Sequence, residues 1–214
     1  MAENPPLKHF PGVRIHPTAS IEEGVTIGPH SSVWDSVHIR QGAAIGHHCI
    51  IGEKSYVAYD VRIGNFVKIN AFVYIPTGVT IEDKAMISAG CIFVNDKYPR
   101  AFDYCKNEPV SSSPNEETLE TCVREGATIG AAVTVLGGLE VGRFALVGAG
   151  SVVTRSVPDH ALVVGNPLRQ IGWVCVCGQR LEFSKKNKTA KCRCGEMFKK
   201  RKIKVDRIGK RQRP

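Results

Sequence analysis

The sequence predicts an all-β protein in which short strands stack coil upon coil, and two regularities carry this prediction. An aliphatic side chain recurs at every sixth residue, and up to Cys91 a small residue or a valine lies four positions after each of them. An α-helix repeats at 3.6 residues and a half-buried strand at two, so a strict period of six fits a short strand plus a turn. Stacked units of this kind form a parallel β-helix.

The first run of the repeat has fourteen consecutive aliphatic or aromatic positions. They are Ile15, Ile21, Ile27, Val33, Ile39, Ile45, Ile51, Val57, Ile63, Ile69, Ile75, Ile81, Ile87 and Phe93. Glycine and asparagine stand beside many of them, as in "IG" and "GN". These residues are expected at corners that need unusual backbone dihedrals.

The repeat stops after Phe93 and later resumes. The resumed positions are Val123, Ile129, Val135, Val141, Val147 and Val153. The sequence between the two runs therefore predicts one protruding loop, a 24-residue excursion over residues 99–122. Loops of this length are usually functional, although a tolerated surface insertion is the alternative.

Length and composition limit the remaining choices. The 214 residues allow one sizeable core and a small appendage. The sequence contains no run of eighteen or more apolar residues, the length that would predict a membrane-spanning helix. Its N-terminal stretch lacks the features of a secretion signal. A cytoplasmic protein is expected. The eight cysteines then indicate metal ligation or burial rather than disulfides.

The cysteines near the C-terminus form two like pairs. "CVCG" contains Cys175 and Cys177, and "CRCG" contains Cys192 and Cys194, with fourteen residues between the pairs. Four thiolates at this separation predict a zinc ribbon whose metal is structural, because no coordination position remains open for catalysis. Zinc is the expected metal, and the ribbon is expected to cover the last coil.

The charge is concentrated behind the repeat. Residues 1–170 have a net charge of −3, and residues 171–214 have a net charge of +12. The stretch "KKRKIKVDRIGKRQRP" is a cationic strand or tail. Aromatic residues are sparse among its cations, so a solvated extension or an anion-attracting fringe is favoured over nucleic-acid binding.

Several motifs carry a resemblance to a known family. They run from "IHPTASI" through "VKIN", "GVTIEDKAM" and "FVNDKYPRAFD" to "GAGSVVT" and "GNPLRQIGWV". The sequence resembles the hexapeptide acyltransferases with a left-handed β-helix, and within them the sugar-nucleotide 3-N-acetyltransferases of surface-glycan synthesis. With three hexads to a coil, as in that fold, the repeat would make nearly seven coils. The resemblance also implies a homotrimer that binds acetyl-CoA in the groove between neighbouring prisms, under the protruding loop.

The same resemblance implies the catalytic and substrate residues. Asn95 is expected to orient the sugar amine and the thioester, by positioning rather than by proton transfer; a strand-ending side chain bonded to its own backbone is the alternative. Asp96 either accepts a proton or pairs with Lys97 or Arg100. Arg100 is also suited to a diphosphate. Lys68 and Asn70 in "VKIN" are expected to bind the nucleotide or the sugar.

The resemblance also implies the acetyl-CoA site. The amides of Ala131 and Ala149 are expected to meet the pantetheine carbonyls, and Thr154, Arg155 and Arg169 the nucleotide end of CoA. The alternative is that the two alanines only pack the repeat. The seven histidines, none in or beside the excursion, are assigned surface roles: His9, His16, His30, His38, His47, His48 and His160.

Four segments are predicted: an N-terminal lead-in (1–14), the β-helix acyltransferase domain (15–170), the zinc ribbon (171–198) and a basic C-terminal tail (199–214). The expected activity is acetyl-CoA-dependent N-acetylation of a UDP- or dTDP-linked 3-amino sugar. The alternative is a non-catalytic β-helix that binds a partner through the ribbon and the tail.

Overall fold

A computed structural model describes residues 10–111, 114–201 and 204–210 of the chain, and these residues confirm the parallel β-helix. Most of the predicted lead-in and parts of the predicted tail, together with His9, lie outside the described residues. Strands and turns make up the fold, and no helix in the described residues is long and apolar enough to cross a membrane.

The strands before the excursion are β1 (Arg14–Ile15), β2 (Ser20–Ile21), β3 (Thr26–Ile27), β4 (Ser32–Val33), β5 (His38–Ile39), β6 (Ala44–Ile45), β7 (Ile50–Ile51), β8 (Tyr56–Val57), β9 (Arg62–Ile63), β10 (Lys68–Ile69), β11 (Tyr74–Ile75), β12 (Val79–Ile81), β13 (Met86–Ile87) and β14 (Ile92–Phe93). The excursion contains β15 (Phe102–Asp103) and β16 (Glu108–Pro109). The later strands are β17 (Thr121–Val123), β18 (Thr128–Ile129), β19 (Thr134–Val135), β20 (Glu140–Val141), β21 (Leu146–Val147), β22 (Val152–Val153), β23 (Ala161–Val164), β24 (Arg169–Trp173), β25 (Thr189–Lys191), β26 (Glu196–Arg201) and β27 (Lys204–Lys210).

Three sheets form the sides of a prism because strands one coil apart pair in parallel. β1 pairs with β4 in the register Ile15↔Val33, which is a step of eighteen residues. The first face has the order β1-β4-β7-β10-β13-β18-β21-β23-β24, the second β2-β5-β8-β11-β14-β19-β22, and the third β3-β6-β9-β12-β17-β20. The first face has one more parallel strand than the second, so the coil count slightly exceeds the predicted value of nearly seven.

The repeating aliphatics fill the interior of the prism. Ile39, Ile51 and Ile69 are each 0% exposed. Burying one such side chain contributes about 1.5–3 kcal/mol, so the column of aliphatics is the main source of stability. Cys49 and Cys91 are also 0% exposed. Each lies four residues after an aliphatic of the repeat, at one of the small positions, so burial rather than metal ligation applies to these two cysteines.

The glycines of the "IG" motif have a different role from the predicted one. The left-handed backbone conformation occurs two residues after the position of these glycines in the hexad. Non-glycine residues such as Phe66 (φ 57°) and Lys84 (φ 60°) adopt it. The "IG" glycines instead allow close approach of the next coil. A Cβ on Gly28 would lie 2.6 Å from the backbone nitrogen of His47, a distance that side-chain carbons do not tolerate.

The period of six slips once, near the end of the prism. Val157 bridges Val141, and Val163 pairs with Val147, so both pairs are sixteen residues apart. The repeat unit after Val153 is therefore two residues shorter, and Val157 takes the next position in the aliphatic column. Val157 is 3% exposed there.

The C-terminal segment covers the last coil, as the sequence predicts. β24 pairs antiparallel with β23 and ends the first face. Phe198 of β26 is fully buried, and its ring lies 5.2 Å from the ring of His160. His160 is only 7% exposed, so the prediction of a surface role for this histidine is wrong.

The ribbon sheet continues past residue 198. β25, β26 and β27 form an antiparallel sheet, and β26 and β27 pair from Glu196↔Lys210 to Arg201↔Lys204. Buried Glu196 accepts two hydrogen bonds from Arg207, at 2.6 and 2.7 Å. The described part of the basic segment is thus a strand of this sheet, which was one of the two expectations for it.

The contact between the prism and its cap should weaken in acid. The Nδ1 of His160 lies 3.0 Å from the carbonyl oxygen of Val174, to which it donates. Burial lowers the pKa of His160 below its ordinary 6.5, so the folded state favours the neutral ring. The unfolded chain takes up a proton as the pH falls below about 6.5, so the free energy of unfolding should decrease as the pH is lowered from about 7 to about 5.

Denaturant melts of wild type, His160→Asn and His16→Gln between about pH 5 and 7.5 test this prediction. Asn tolerates the left-handed backbone of residue 160 (φ 61°) and does not titrate. The pH dependence should shrink in His160→Asn and persist in His16→Gln, because His16 is exposed. An unchanged pH dependence in His160→Asn would contradict the assignment.

Candidate active site and candidate metal centre

A cleft of about 980 Å³ opens where the excursion leaves the prism. Tyr56 and Tyr74 on the second face form one wall. The excursion forms the other, with residues 95–101 and with Val110, Ser111, Pro114, Asn115, Glu117, Thr118 and Leu119. The volume lies at the upper end of the usual range for small-molecule sites. The excursion therefore creates a concave surface beside a prism face that is otherwise flat.

The two ends of the excursion are tied together at its base. The amide of Leu119 donates to the carbonyl oxygen of Asn95 at 2.9 Å. The side chain of Leu119 packs over Gly137, where a Cβ would lie 2.9 Å from the Leu119 Cβ. The chain therefore departs after residue 95 and returns at residue 119, slightly earlier than the predicted bounds of 99 and 122.

Asn95 lies at this base, half-buried, and lines the cleft. Its Nδ2 donates to the carbonyl oxygen of Thr77 at 3.0 Å, across one coil. The bond to its own backbone, the alternative in the sequence analysis, is not the one that forms. Because Nδ2 is held by Thr77, the amide oxygen Oδ1 has a fixed direction and can accept a hydrogen bond from a bound amine.

Asp96, Lys97 and Arg100 follow along the rim of the same cleft, and all three are exposed. Among the described residues Asp96 makes no ion pair, so the pairing with Lys97 or Arg100, one of its two expected roles, is not present. Arg100 donates to the carbonyl oxygen of Pro99 at 2.9 Å. Both cations thus remain accessible to a bound anion.

The opposite wall contains residues that the sequence analysis missed. The rings of Tyr56 and Tyr74 stack at 5.3 Å with an interplanar angle of 9°. Arg40 lies over the ring of Tyr59 at 4.2 Å and reaches Oε1 of Glu22 at 2.6 Å. Outward residues eighteen apart are neighbours on one face, so the spacing of Tyr56 and Tyr74 was the available signal.

The wall also perturbs one phenol. Burial, the nearby Tyr56 and the charge of Asp96 raise the pKa of Tyr74 above its ordinary value. Tyr74 therefore stays neutral and keeps its hydroxyl proton at physiological pH, so it can donate a hydrogen bond into the cleft.

Four of the predicted ligand-binding residues lie elsewhere, on or beside the corner between the first and second faces. Lys68 is exposed on β10 and Asn70 follows it. Ala131 and Ala149 are exposed at the same corner, and the amide of Gly150 donates to the carbonyl oxygen of Ala131 at 2.8 Å. None of the four lines the excursion cleft of the same chain.

The remaining predicted CoA contacts lie near the capped end of the prism. Thr154 and Arg155 follow β22, and both are exposed. The Nη2 of Arg155 donates to the carbonyl oxygen of Leu168 at 2.7 Å. Arg169 begins β24 and is exposed.

The four cysteines of the ribbon converge on one point. The sulfur atoms of Cys175, Cys177, Cys192 and Cys194 all lie within 4.8 Å of one another. The Cys175–Cys194 and Cys177–Cys192 sulfurs are 3.5 and 3.4 Å apart. A tetrahedral zinc with sulfur ligands at about 2.3 Å separates its sulfurs by about 3.8 Å, so the donor set fits a four-thiolate metal site.

Comparison with known proteins agrees with this architecture. Residues 125–155 match the hexapeptide repeat of succinyl-transferase. Together with the eighteen-residue register, this match identifies the repeat. Over these residues the chain therefore carries a hexapeptide repeat. A structure of a mutant of AntD, an N-acyltransferase from Bacillus cereus in complex with dTDP and coenzyme A, shares the fold of this chain. Their TM-score is 0.50 at 24% identity, over 76% of this chain and 82% of AntD.

Two curated relatives match over shorter stretches. The dTDP-3-amino-3,6-dideoxy-alpha-D-galactopyranose 3-N-acetyltransferase of Aneurinibacillus thermoaerophilus is 48% identical over 79 residues, which are 37% of this chain and 40% of the relative. The serine acetyltransferase of Escherichia coli (strain K12) is 52% identical over 50 residues, 23% of this chain and 18% of the relative. The match thus spans two-fifths or less of each relative's length.

The closed base of the excursion predicts that it can be removed without loss of the prism. Replacing residues 97–117 with a short Gly-Ser linker should preserve the parallel pairs on both sides, β14 with β19 and β12 with β17. Circular dichroism should keep its β-sheet signal, and the melting temperature should fall by only a few degrees. Unfolding of the variant would show instead that the prism needs the excursion for its stability.

Proposed function

We propose that the protein is an acetyl-CoA-dependent N-acetyltransferase that acts on the amine of a UDP- or dTDP-linked 3-amino sugar. The observation that carries the proposal is the oriented amide of Asn95 at the base of the excursion cleft. The curated 3-N-acetyltransferase relative supports the substrate class through its name. We place the enzyme in the cytoplasm, in the synthesis of a surface glycan.

The proposed reaction needs no covalent enzyme intermediate. The nitrogen lone pair of the neutral amine attacks the thioester carbonyl carbon, and the resulting tetrahedral adduct expels the CoA sulfur. The nitrogen gives up one proton, which the sulfur takes, so the products are an amide and the free thiol of CoA. Asn95 Oδ1 would hold an amine N–H and fix the direction of attack. Asp96 would be the nearby carboxylate that can receive a proton in transit.

The other predicted residues take binding roles in this proposal. Arg100 would contact the diphosphate, and Lys68 and Asn70 the nucleotide or the sugar. Ala131 and Ala149 would offer their amides to pantetheine, while Thr154, Arg155 and Arg169 would meet the nucleotide end of CoA. These groups lie on different corners of one prism, which supports a homotrimer in which the cleft of one copy faces the alanine corner of its neighbour.

Thiol release with acetyl-CoA and a panel of UDP- and dTDP-3-amino sugars tests this function, with L-serine as a comparison substrate. Release with an amino sugar and none with serine is expected. Release with serine alone would favour O-acetylation, the reaction that the name of the second curated relative suggests. No release, together with no calorimetric binding of acetyl-CoA, would favour the non-catalytic alternative.

Asn95→Ala should lower kcat by about 10²–10³-fold, since it removes an oriented polar group from the reacting centre. The KM for acetyl-CoA should change little. Asn107→Gly is a matched control, because Asn107 lies at the exposed tip of the excursion hairpin with a φ of 56° that glycine adopts freely. Equal losses in the two variants would indicate that Asn95 has no special role.

We also propose that the four-cysteine site holds a structural zinc ion. Elemental analysis of purified protein should give about one zinc per chain. Cys177→Ser should lose the metal and expose the ribbon to proteolysis, whereas Cys105→Ser should retain it, because Cys105 is exposed in the excursion. A metal-free wild-type protein with a protease-resistant ribbon would contradict the proposal.

A further inference from the structure

The outer side of the ribbon sheet carries a cluster of cations that no part of the proposed reaction uses. Lys191 of β25, Lys199 and Arg201 of β26, and Lys204 of β27 are all exposed. These four residues are called the cationic face below.

Strand alternation explains why these side chains share one side. Ala190, Phe198 and Val205 are the sequence neighbours of the three lysines, and they are 5% exposed or less. Successive side chains of a strand point to opposite sides of a sheet, so the lysines project opposite to this apolar set. Arg201 pairs directly with Lys204 across the two strands, a juxtaposition of like charges that is unfavourable without a counterion.

Most of this charge is unneutralised within the described residues. Asp206 pairs with Arg201 at 3.1 Å and lies opposite Lys199 in the strand register. Lys191, Lys199 and Lys204 have no ion-pair partner in the parts of the chain that the structure describes.

The cationic face points away from the rest of the molecule. The apolar side of the ribbon sheet covers the end of the prism, where the Phe198 ring contacts His160. The opposite side is therefore the terminal surface of the molecule. Among the residues that the structure describes there, no aromatic side chain lies between the cations.

We propose that the cationic face docks the protein peripherally on the anionic surface of a lipid bilayer. A broad lysine-rich surface suits the diffuse negative charge of lipid headgroups, to which each cation near the surface adds attraction. Binding to single-stranded nucleic acid relies on aromatic stacking platforms, which the described residues of this face lack.

Co-sedimentation of the full-length, zinc-replete protein with vesicles tests this inference. Vesicles of phosphatidylcholine with about one-third phosphatidylglycerol should retain the protein at low salt, and pure phosphatidylcholine vesicles should not. Raising the salt should release it, because screening shortens the range of the attraction. The triple variant Lys191→Gln, Lys199→Gln, Lys204→Gln should partition about a hundredfold less, at about fivefold per lysine.

A matched triple variant provides the control. It combines Arg14→Gln, Lys54→Gln and Arg62→Gln, three cations that are exposed on the prism. This variant has the same net charge as the cationic-face variant and should keep vesicle binding. Circular dichroism, zinc content and acetyl transfer should match wild type in both.

Three results would overturn the inference. One is equal vesicle binding by the two triple variants. Another is equal binding of wild type to the charged and the neutral vesicles. The third is binding to RNA or duplex DNA at a salt concentration at which the anionic vesicles are not bound. Each of these outcomes leaves the proposed acetyl transfer untouched, because that reaction is measured separately.

Discussion

Strands one coil apart pair in parallel, at a step of eighteen residues through most of the prism, and this register determines where the other side chains lie. A shift of one residue would turn the whole aliphatic column outward, and the prism would lose its core. Ile15, Val33 and Ile51 therefore stack in line. The outward residues stack with the same spacing, which brings Tyr56 beside Tyr74 and gives the cleft its aromatic wall.

The same constraint determines how the cleft can form. A prism of two-residue strands has flat sides. Removing an aliphatic side chain from its interior would leave a cavity in the core. The excursion avoids this conflict because it departs from a corner and returns to the same corner, where Asn95 and Leu119 meet. Concavity is thus added outside the repeat, and β14 and β17 keep their partners. Asn95 belongs to the rigid prism, which suits a residue that orients reactants.

The interior and the ribbon were predictable from the sequence because their signals are periodic or closely spaced. The core cysteines, the interruption after Phe93 and the convergence of four sulfurs all follow from spacing. Three features did not. The slip at Val157 depends on how the chain closes its last coil, and the burial of His160 depends on Phe198, far along the chain. Asn95 was expected from a resemblance, and its bond to Thr77 needed the fold.

In the proposed reaction a thioester meets an amine at the excursion cleft. A crystal structure of the protein with CoA and dTDP would locate both reactants. We expect the CoA sulfur at the mouth of this cleft, within about 4 Å of the Asn95 side chain, with pantetheine along the Ala131 and Ala149 corner of an adjacent copy. A sulfur atom on the third face, or at the capped end remote from Asn95, would contradict it.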